Sequence, residues 1–243
     1  MEISPIAHII KCPHCGGLHT DEVWVERQPV DQFTLWTDGT YICPTTVRVS
    51  RPFNLCSYSG CEKTFWIMDA EVVHTVADIN PDSPRSDEEQ KVYNLWIEVC
   101  KGIHYFSVND CYQAIEEGIA GDSSENWKWL RKFTWQESTE ALRTMPDLLF
   151  TLGTTFRPSQ RHYNNLLELI KLLDVSLKDE RILAIEIHRQ QGEFKSAADL
   201  IEFDWSSDNL ELIDYQKELI AKKDMLLRRV PLKEDKSLTR LKR

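Results

Sequence analysis

Two cysteine pairs in the first quarter of the chain, Cys12-Pro13-His14-Cys15 and Cys56-Ser57-Tyr58-Ser59-Gly60-Cys61, constrain its folding more than any other feature. Four thiols in two tight pairs, separated by about forty residues, suit a closed tetrahedral metal site. Each pair makes one short turn, and a single ion draws the turns together. Such a site holds a small domain in shape and names no reaction.

The expected ligands are Cys12, Cys15, Cys56 and Cys61, and the expected cofactor is a structural Zn2+, with iron in the same four-sulfur cage as the alternative. Gly16 and Gly17 let backbone N–H groups turn toward the first pair without a Cβ clash. The second pair has the looser C-x4-C spacing, which leaves Cys43, His14 and His19 as competing ligands. The plainer alternative makes all these cysteines buried packing residues. Cys100 and Cys111 lie in helical patterns and are expected to be packing thiols.

Around the cysteines the pattern is β. Ile6 to Lys11 is a short apolar run leading into the first turn, and Thr64-Phe65-Trp66 follows the second. Between them, Thr37-Asp38-Gly39 separates Phe33-Thr34-Leu35-Trp36 from Thr40-Tyr41-Ile42. Asp-Gly between β-prone residues is a strong hairpin signal. Strand, knuckle, hairpin, knuckle, strand is the order of a zinc ribbon, expected over residues 1–79. Trp24, Trp36 and Trp66 could form a recognition surface, since aromatics concentrate binding energy at interfaces, but Trp36 and Trp66 sit in strand patterns and are expected in the core of that small module.

After the proline-punctuated break Asn80-Pro81-Asp82-Ser83-Pro84-Arg85 the period changes to helical. Ser86-Asp87-Glu88-Glu89 has the capping-box pattern, and Val92, Leu95, Trp96 and Val99 follow at helical spacing. Further helices are expected over Asp110 to Ile119, Ser124 to Glu137, from Ser159, over Leu177 to Gln191, around Phe194 to Ile201, and from Ser207 to about Arg229. Trp127, Trp129 and Trp135 cannot all face one core from a single helix. The fold class is therefore α+β: a small N-terminal β zinc ribbon followed by an all-α helical domain over 86–229. A basic tail is expected over 230–243, begun by the break at Val230-Pro231. Truncation after Arg229 is expected to leave stability nearly unchanged.

Composition sets bounds on partners. The 243 residues are 42% hydrophobic with 8 Trp, and the formal net charge is −10. Residues 1–77 carry 5 basic and 9 acidic side chains, residues 78–180 carry 11 and 18, and residues 181–243 carry 13 and 12. An acidic ribbon is a poor match to phosphate backbones, which need concentrated Lys and Arg. Only the end is basic, with Arg228, Arg229, Lys233, Lys236, Arg240, Lys242 and Arg243 against Glu234 and Asp235. The N-terminus lacks a signal-peptide pattern, and seven cysteines without one point to a reducing compartment, so the expected location is cytoplasmic, with no membrane partner.

No H-E-x-x-H, phosphate-cradling glycine loop, G-x-S-x-G elbow or dinucleotide fingerprint occurs. His104, His162 and His188 stand singly, without a partner to tune them for acid–base work. Four thiolates would leave no open position on a metal for water. No catalytic residue is assigned.

The stretch Arg181 to Ala198, with Gly192 at its turn and Phe194 two residues later, resembles the centre of a tetratricopeptide repeat, although the spacing does not recur at that repeat's period. The whole chain resembles a group of uncharacterised bacterial proteins through Trp36-Thr37-Asp38-Gly39, Phe65-Trp66-Ile67-Met68-Asp69-Ala70-Glu71 and Gln191-Gly192-Glu193-Phe194. That resemblance implies a zinc ribbon joined to tetratricopeptide-like helices, and no activity. The residues favour a non-catalytic interaction (adaptor) protein whose partner is another protein. The alternatives are a nucleic-acid-binding zinc-ribbon protein and an enzyme with an unrecognised site.

Overall fold

The computed structural model describes residues 6–23, 34–42, 53–77, 79–101, 107–144, 159–205, 207 and 209–231. The protein is α+β, an N-terminal β-strand region followed by packed helices. The chain forms two compact units, one of Met1–Val30 with Thr45–Phe133 and one of Asp31–Pro44 with Thr134–Arg243.

In the first unit, β1 (Ile6–Lys11) lies between β2 (Leu18–Val23) and β7 (Glu71–Val76) in an antiparallel sheet of order β2-β1-β7. Alternation along the strands sends Ala7 and Ile9 to one face, where they join Val76, Ile79 and Trp96 of α1 (Asp87–Cys100) in a core cluster. Leu18 packs on the same cluster, and the Trp96 indole donates to Thr20 Oγ1 at 3.1 Å. Burying each such aliphatic side chain is worth about 1.5–3 kcal/mol. Helix α1 starts where the sequence marks it: Ser86 Oγ accepts from the Glu89 amide at 3.3 Å, and the Ser86 amide donates to Glu89 Oε2 at 2.8 Å. The Ser86 amide, joined by the Ser86 hydroxyl donating to the same oxygen at 2.7 Å, holds the Glu89 carboxyl below its usual range.

A second ladder pairs β5 (Phe53–Leu55) with β6 (Thr64–Trp66). Phe53 and Trp66 pack with Cys111 and Ala114 of α2 (Val108–Glu116) and with Leu130 and Phe133 of α3 (Ser124–Thr144). Cys111 is fully buried and Cys100 packs against the α1 cluster, as expected of packing thiols. The three tryptophans of α3 diverge as the helical period demands. Trp135 is fully buried, Trp127 is half-buried, and Trp129 is 37% exposed with its ring edge-on to Trp66.

The second unit contains α4 (Gln160–Ile170), α5 (Lys178–Gln190), α6 (Phe194–Ile201) and α7 (Leu210–Ala221). It also contains the hairpin of β3 (Thr34–Leu35) and β4 (Tyr41–Ile42). Leu35 joins Ile182, Ile185, Ala197, Ile201, Leu212, Ile213 and Val230 in one cluster, so the Asp-Gly hairpin forms as expected but packs with helices rather than in the ribbon. Asp38 fixes the turn by accepting from the Thr40 amide and hydroxyl, and Gly39 takes φ 82°. Trp36, read from the sequence as part of the ribbon, is buried in this unit and bridges to Arg229.

Helices α5 and α6 form the hairpin expected around Gly192. Gly192 (φ 77°) donates to Arg189 O at 3.0 Å and Glu193 donates to His188 O at 2.8 Å, a left-handed cap that reverses the chain within two residues. Ala184 and Ala197, one on each helix of the pair, have no exposure, and Ala197 packs with Ile182 and Ile185 across the hairpin.

The last helix is shorter than its apolar pattern suggests. It ends at Ala221, Lys223 adopts φ 55°, and Lys223 and Asp224 donate to Ile220 O and Leu219 O. The chain then runs extended past the hairpin, where Thr37 donates to Arg228 O and Val230 donates to Leu35 O. Val230, the first residue of the expected tail, is thus buried and hydrogen-bonded. Residues 232–243, like Trp24, Cys43 and His104, lie outside the described residues.

Candidate metal centre

The two cysteine turns sit at the ends of the two ladders, the first joining β1 to β2 and the second joining β5 to β6. In the first, the Cys12 amide donates to Gly17 O at 2.8 Å and Gly16, at φ 76°, donates to Cys12 O at 2.9 Å. In the second, the Cys56 amide donates to Lys63 O and the Cys61 amide to Tyr58 O, both at 3.0 Å. Gly60 (φ 90°) and Glu62 (φ 47°) supply the left-handed positions of this longer turn. Each turn closes on itself, and so holds its thiols on one side.

Those thiols converge. Cys12, Cys15, Cys56 and Cys61 place their sulfurs within 4.8 Å of one another, with Cys12 Sγ 3.9 Å from Cys61 Sγ and Cys15 Sγ 3.5 Å from Cys56 Sγ. A disulfide would require about 2.05 Å. Four sulfurs on a tetrahedron around zinc, each at about 2.3 Å, stand about 3.8 Å apart. The observed separations bracket that value, and all four cysteines are free thiols.

Backbone amides point at the sulfurs, as the glycine pattern implies. The His14 amide lies 3.4 Å from Cys12 Sγ and the Gly17 amide 3.4 Å from Cys15 Sγ. The Gly17 amide, with smaller help from the other thiols, lowers the Cys15 pKa. Burial pushes the Cys12 and Cys56 thiols up, against the pull of nearby amides. A divalent cation at the centre reverses that penalty by stabilising all four as thiolates.

The two histidines that compete as ligands lie outside the four-sulfur group. His14 Nε2 is 3.3 Å from the Thr64 carbonyl oxygen, to which its N–H donates. His19 is buried and its Nε2 lies 3.3 Å from Cys56 Sγ. Burial lowers the His19 pKa and favours the neutral ring beside the sulfur. The signal for this contact was the two-residue period of β2: Leu18 and Thr20 face α1, so His19, paired with Ile10, faces the thiols. Around the sulfurs Ile10 and Phe65 complete a dry wall.

Tyr58 lies so close over Gly17 that a Cβ there would stand 2.4 Å from Cδ2 of the ring. Elsewhere, His162 and Ser138 pair at 2.8 Å within the second unit, and His188 and Glu193 at 2.6 Å at the end of α5. Both contacts serve helix packing and helix ends. Among the described residues, the four cysteines form the one group of His, Cys, Asp or Glu with ligand atoms close enough to share a metal. Among the same residues no helix is long and apolar enough to cross a membrane.

No family model, no curated protein and no solved structure matches the chain. The architecture that the bacterial group shares, a small β-sheet with a four-cysteine cluster and a helical region, is present. No homologous match ties the chain to that group.

Proposed function

We propose that Cys12, Cys15, Cys56 and Cys61 hold one structural Zn2+ and that the protein is a non-catalytic adaptor, its helical hairpins meeting another protein while the zinc-bearing turns keep the ribbon rigid. One observation carries the metal assignment: the sulfur separations of 3.5 and 3.9 Å suit four thiolates on one zinc, with amide donors already aimed at them. Four thiolates leave no site for a metal-bound water, which supports a structural role. The tetratricopeptide-like packing of α5 and α6 supports an interaction surface, since such hairpins present side chains from two helices at once.

Native mass spectrometry of the intact chain tests the metal, with one zinc per chain expected. Cobalt substitution adds a spectroscopic check, because four thiolates give intense sulfur-to-metal absorption. Affinity capture repeated after nuclease treatment and at raised salt tests the partner class. A protein partner survives the nuclease, whereas nucleic acid is lost with it and shows a steep salt dependence.

A further inference from the structure

The four sulfurs are unequally protected. Cys12 and Cys56 are 2% and 1% exposed, whereas Cys15 is exposed and Cys61 half-buried. Cys15 and Cys61 line a surface cleft at the tips of the two turns, walled by Gly16, Tyr58, Gly60 and Lys63. No Cβ meets the space beside Gly16 or Gly60, so the cleft mouth is free of side chains at those two positions. Within the site, the neighbour at 3.5 Å from the exposed Cys15 sulfur is Cys56, on the other turn.

We propose that Cys15 is a site of oxidation by hydroperoxides and that Cys56 resolves it, forming a disulfide between the two turns. The proposal rests on the four-cysteine reading above, but on the positions of the thiols rather than on which ion they hold. The Cys15 thiolate attacks one oxygen of the peroxide, the O–O bond breaks, and the departing hydroxide takes a proton to become water. The sulfur is left as a sulfenic acid. The Cys56 thiolate attacks that sulfur, the S–S bond forms, and hydroxide leaves to be protonated as a second water. Two thiolates, one peroxide and two protons thus become one disulfide and two waters. With two of its four thiolates consumed, the site no longer has the ligands to retain a metal.

Geometry selects the pairing. The sulfurs of Cys15 and Cys56 need only close from 3.5 Å to bonding distance of about 2.05 Å. Cys12 and Cys56 are shielded by Ile10 and Phe65 and Cys61 packs partly on the same cluster, so the first attack falls on Cys15, the one exposed sulfur of the four. Cys100 and Cys111 stand apart from the cleft, packed with α1 and among α2 and α3.

The test uses the full chain as purified, treated with one equivalent of hydrogen peroxide, blocked with N-ethylmaleimide and digested without reduction. Peptide mass mapping then reports which disulfide forms first, and a colorimetric chelator reports released zinc in parallel. A Cys15–Cys56 linkage as the dominant first product, reversed by dithiothreitol, is the expected result. A first disulfide within either turn, first oxidation at Cys100 or Cys111, or no oxidation at any of these sites overturns the proposal. A chain that carries no zinc yet forms Cys15–Cys56 would defeat the zinc assignment and leave the oxidation site standing.

Discussion

Gln216 donates a 2.5 Å hydrogen bond to the carbonyl oxygen of Thr37, 179 residues earlier in the chain, and both residues have no exposure. The same amide reaches Glu186 Oε2 at 2.9 Å, and Glu186 is paired with Arg189 at 2.7 Å, again with neither side chain exposed. Arg189 also donates to Thr37 Oγ1, to Leu226 O and to Asp224 O. Thr37 Oγ1 further accepts from the Arg228 amide at 3.1 Å, while Gln190 ties Glu186 to the Trp135 indole. One buried ion pair thereby fastens the Asp-Gly hairpin, three helices and the extended 224–230 segment together. A buried charge pair specifies an arrangement because every alternative packing leaves a donor or a charge unpaired.

Replacing Arg189 by Ala strands the Glu186 carboxylate in that interior and frees the carbonyls of Asp224 and Leu226. Removing one partner of a buried pair costs about 3–5 kcal/mol. Thr37→Val, which deletes only a neutral acceptor, should cost about 1–3 kcal/mol. Urea unfolding followed by tryptophan fluorescence ranks the two. A Thr37→Val variant less stable than Arg189→Ala would show that the ion pair is not the centre of the network.

Truncation after Arg229 removes Val230, which is buried against Leu35 and donates to its carbonyl. Burial of a valine side chain and a backbone hydrogen bond are together worth about 2–4 kcal/mol. The truncated chain should therefore show a lowered thermal midpoint, while truncation after Pro231 should retain that of the parent. Equal midpoints for the two truncations would show that Val230 contributes nothing.

Local chemistry was legible in the sequence because it depends on neighbours a few residues apart. The Ser86 box, the Gly192 reversal, the Asp38-Gly39 turn and the two cysteine turns all follow from such spacing. The destination of the hairpin was not legible. Leu35 is an apolar strand residue in any sheet, and only complementarity with Ile182, Ile213 and Val230 assigns it to the helices. The end of α7 was misread for a related reason. Leu226 continues an apolar pattern, yet Lys223 turns left-handed and the Arg228 and Val230 amides donate to Thr37 Oγ1 and Leu35 O rather than to a helical ladder. His19 was read as a competing ligand, and the strand period places its ring beside the Cys56 sulfur, outside the group of four whose ligand atoms all lie within 4.8 Å of one another.

Removing the metal should melt the cysteine turns. Burial pushes the Cys12 and Cys56 thiols up, so without a metal those two favour the neutral form and no ion bridges the two turns. Strong chelation, or Cys56→Ser, is expected to abolish zinc stoichiometry and to remove hydrogen-exchange protection from β1, β5 and β6. Protection in α5 should persist, since its residues Ile182, Ile185 and Ile187 pack in apolar clusters of the other unit. Full zinc occupancy in Cys56→Ser would remove that cysteine from the ligand set.

Stability should fall in mild acid because of His162. The residue is 3% exposed, and burial pushes its pKa down to about 4 from an ordinary value of 6.5. Ser138 Oγ gives its proton to the Trp135 carbonyl at 2.7 Å, so His162 Nδ1, 2.8 Å away, carries the hydrogen and donates to Ser138. The folded protein holds a neutral imidazole, whereas the unfolded chain takes up a proton as pH drops below 6.5. Stability from this group is complete above pH 6.5 and is lost progressively down to about pH 4, by about 3 kcal/mol in all. Unfolding free energies measured from pH 7 to pH 4 should therefore decline, and His162→Gln should flatten the part of that slope the imidazole supplies. An unchanged slope in the variant would place the acid sensitivity elsewhere.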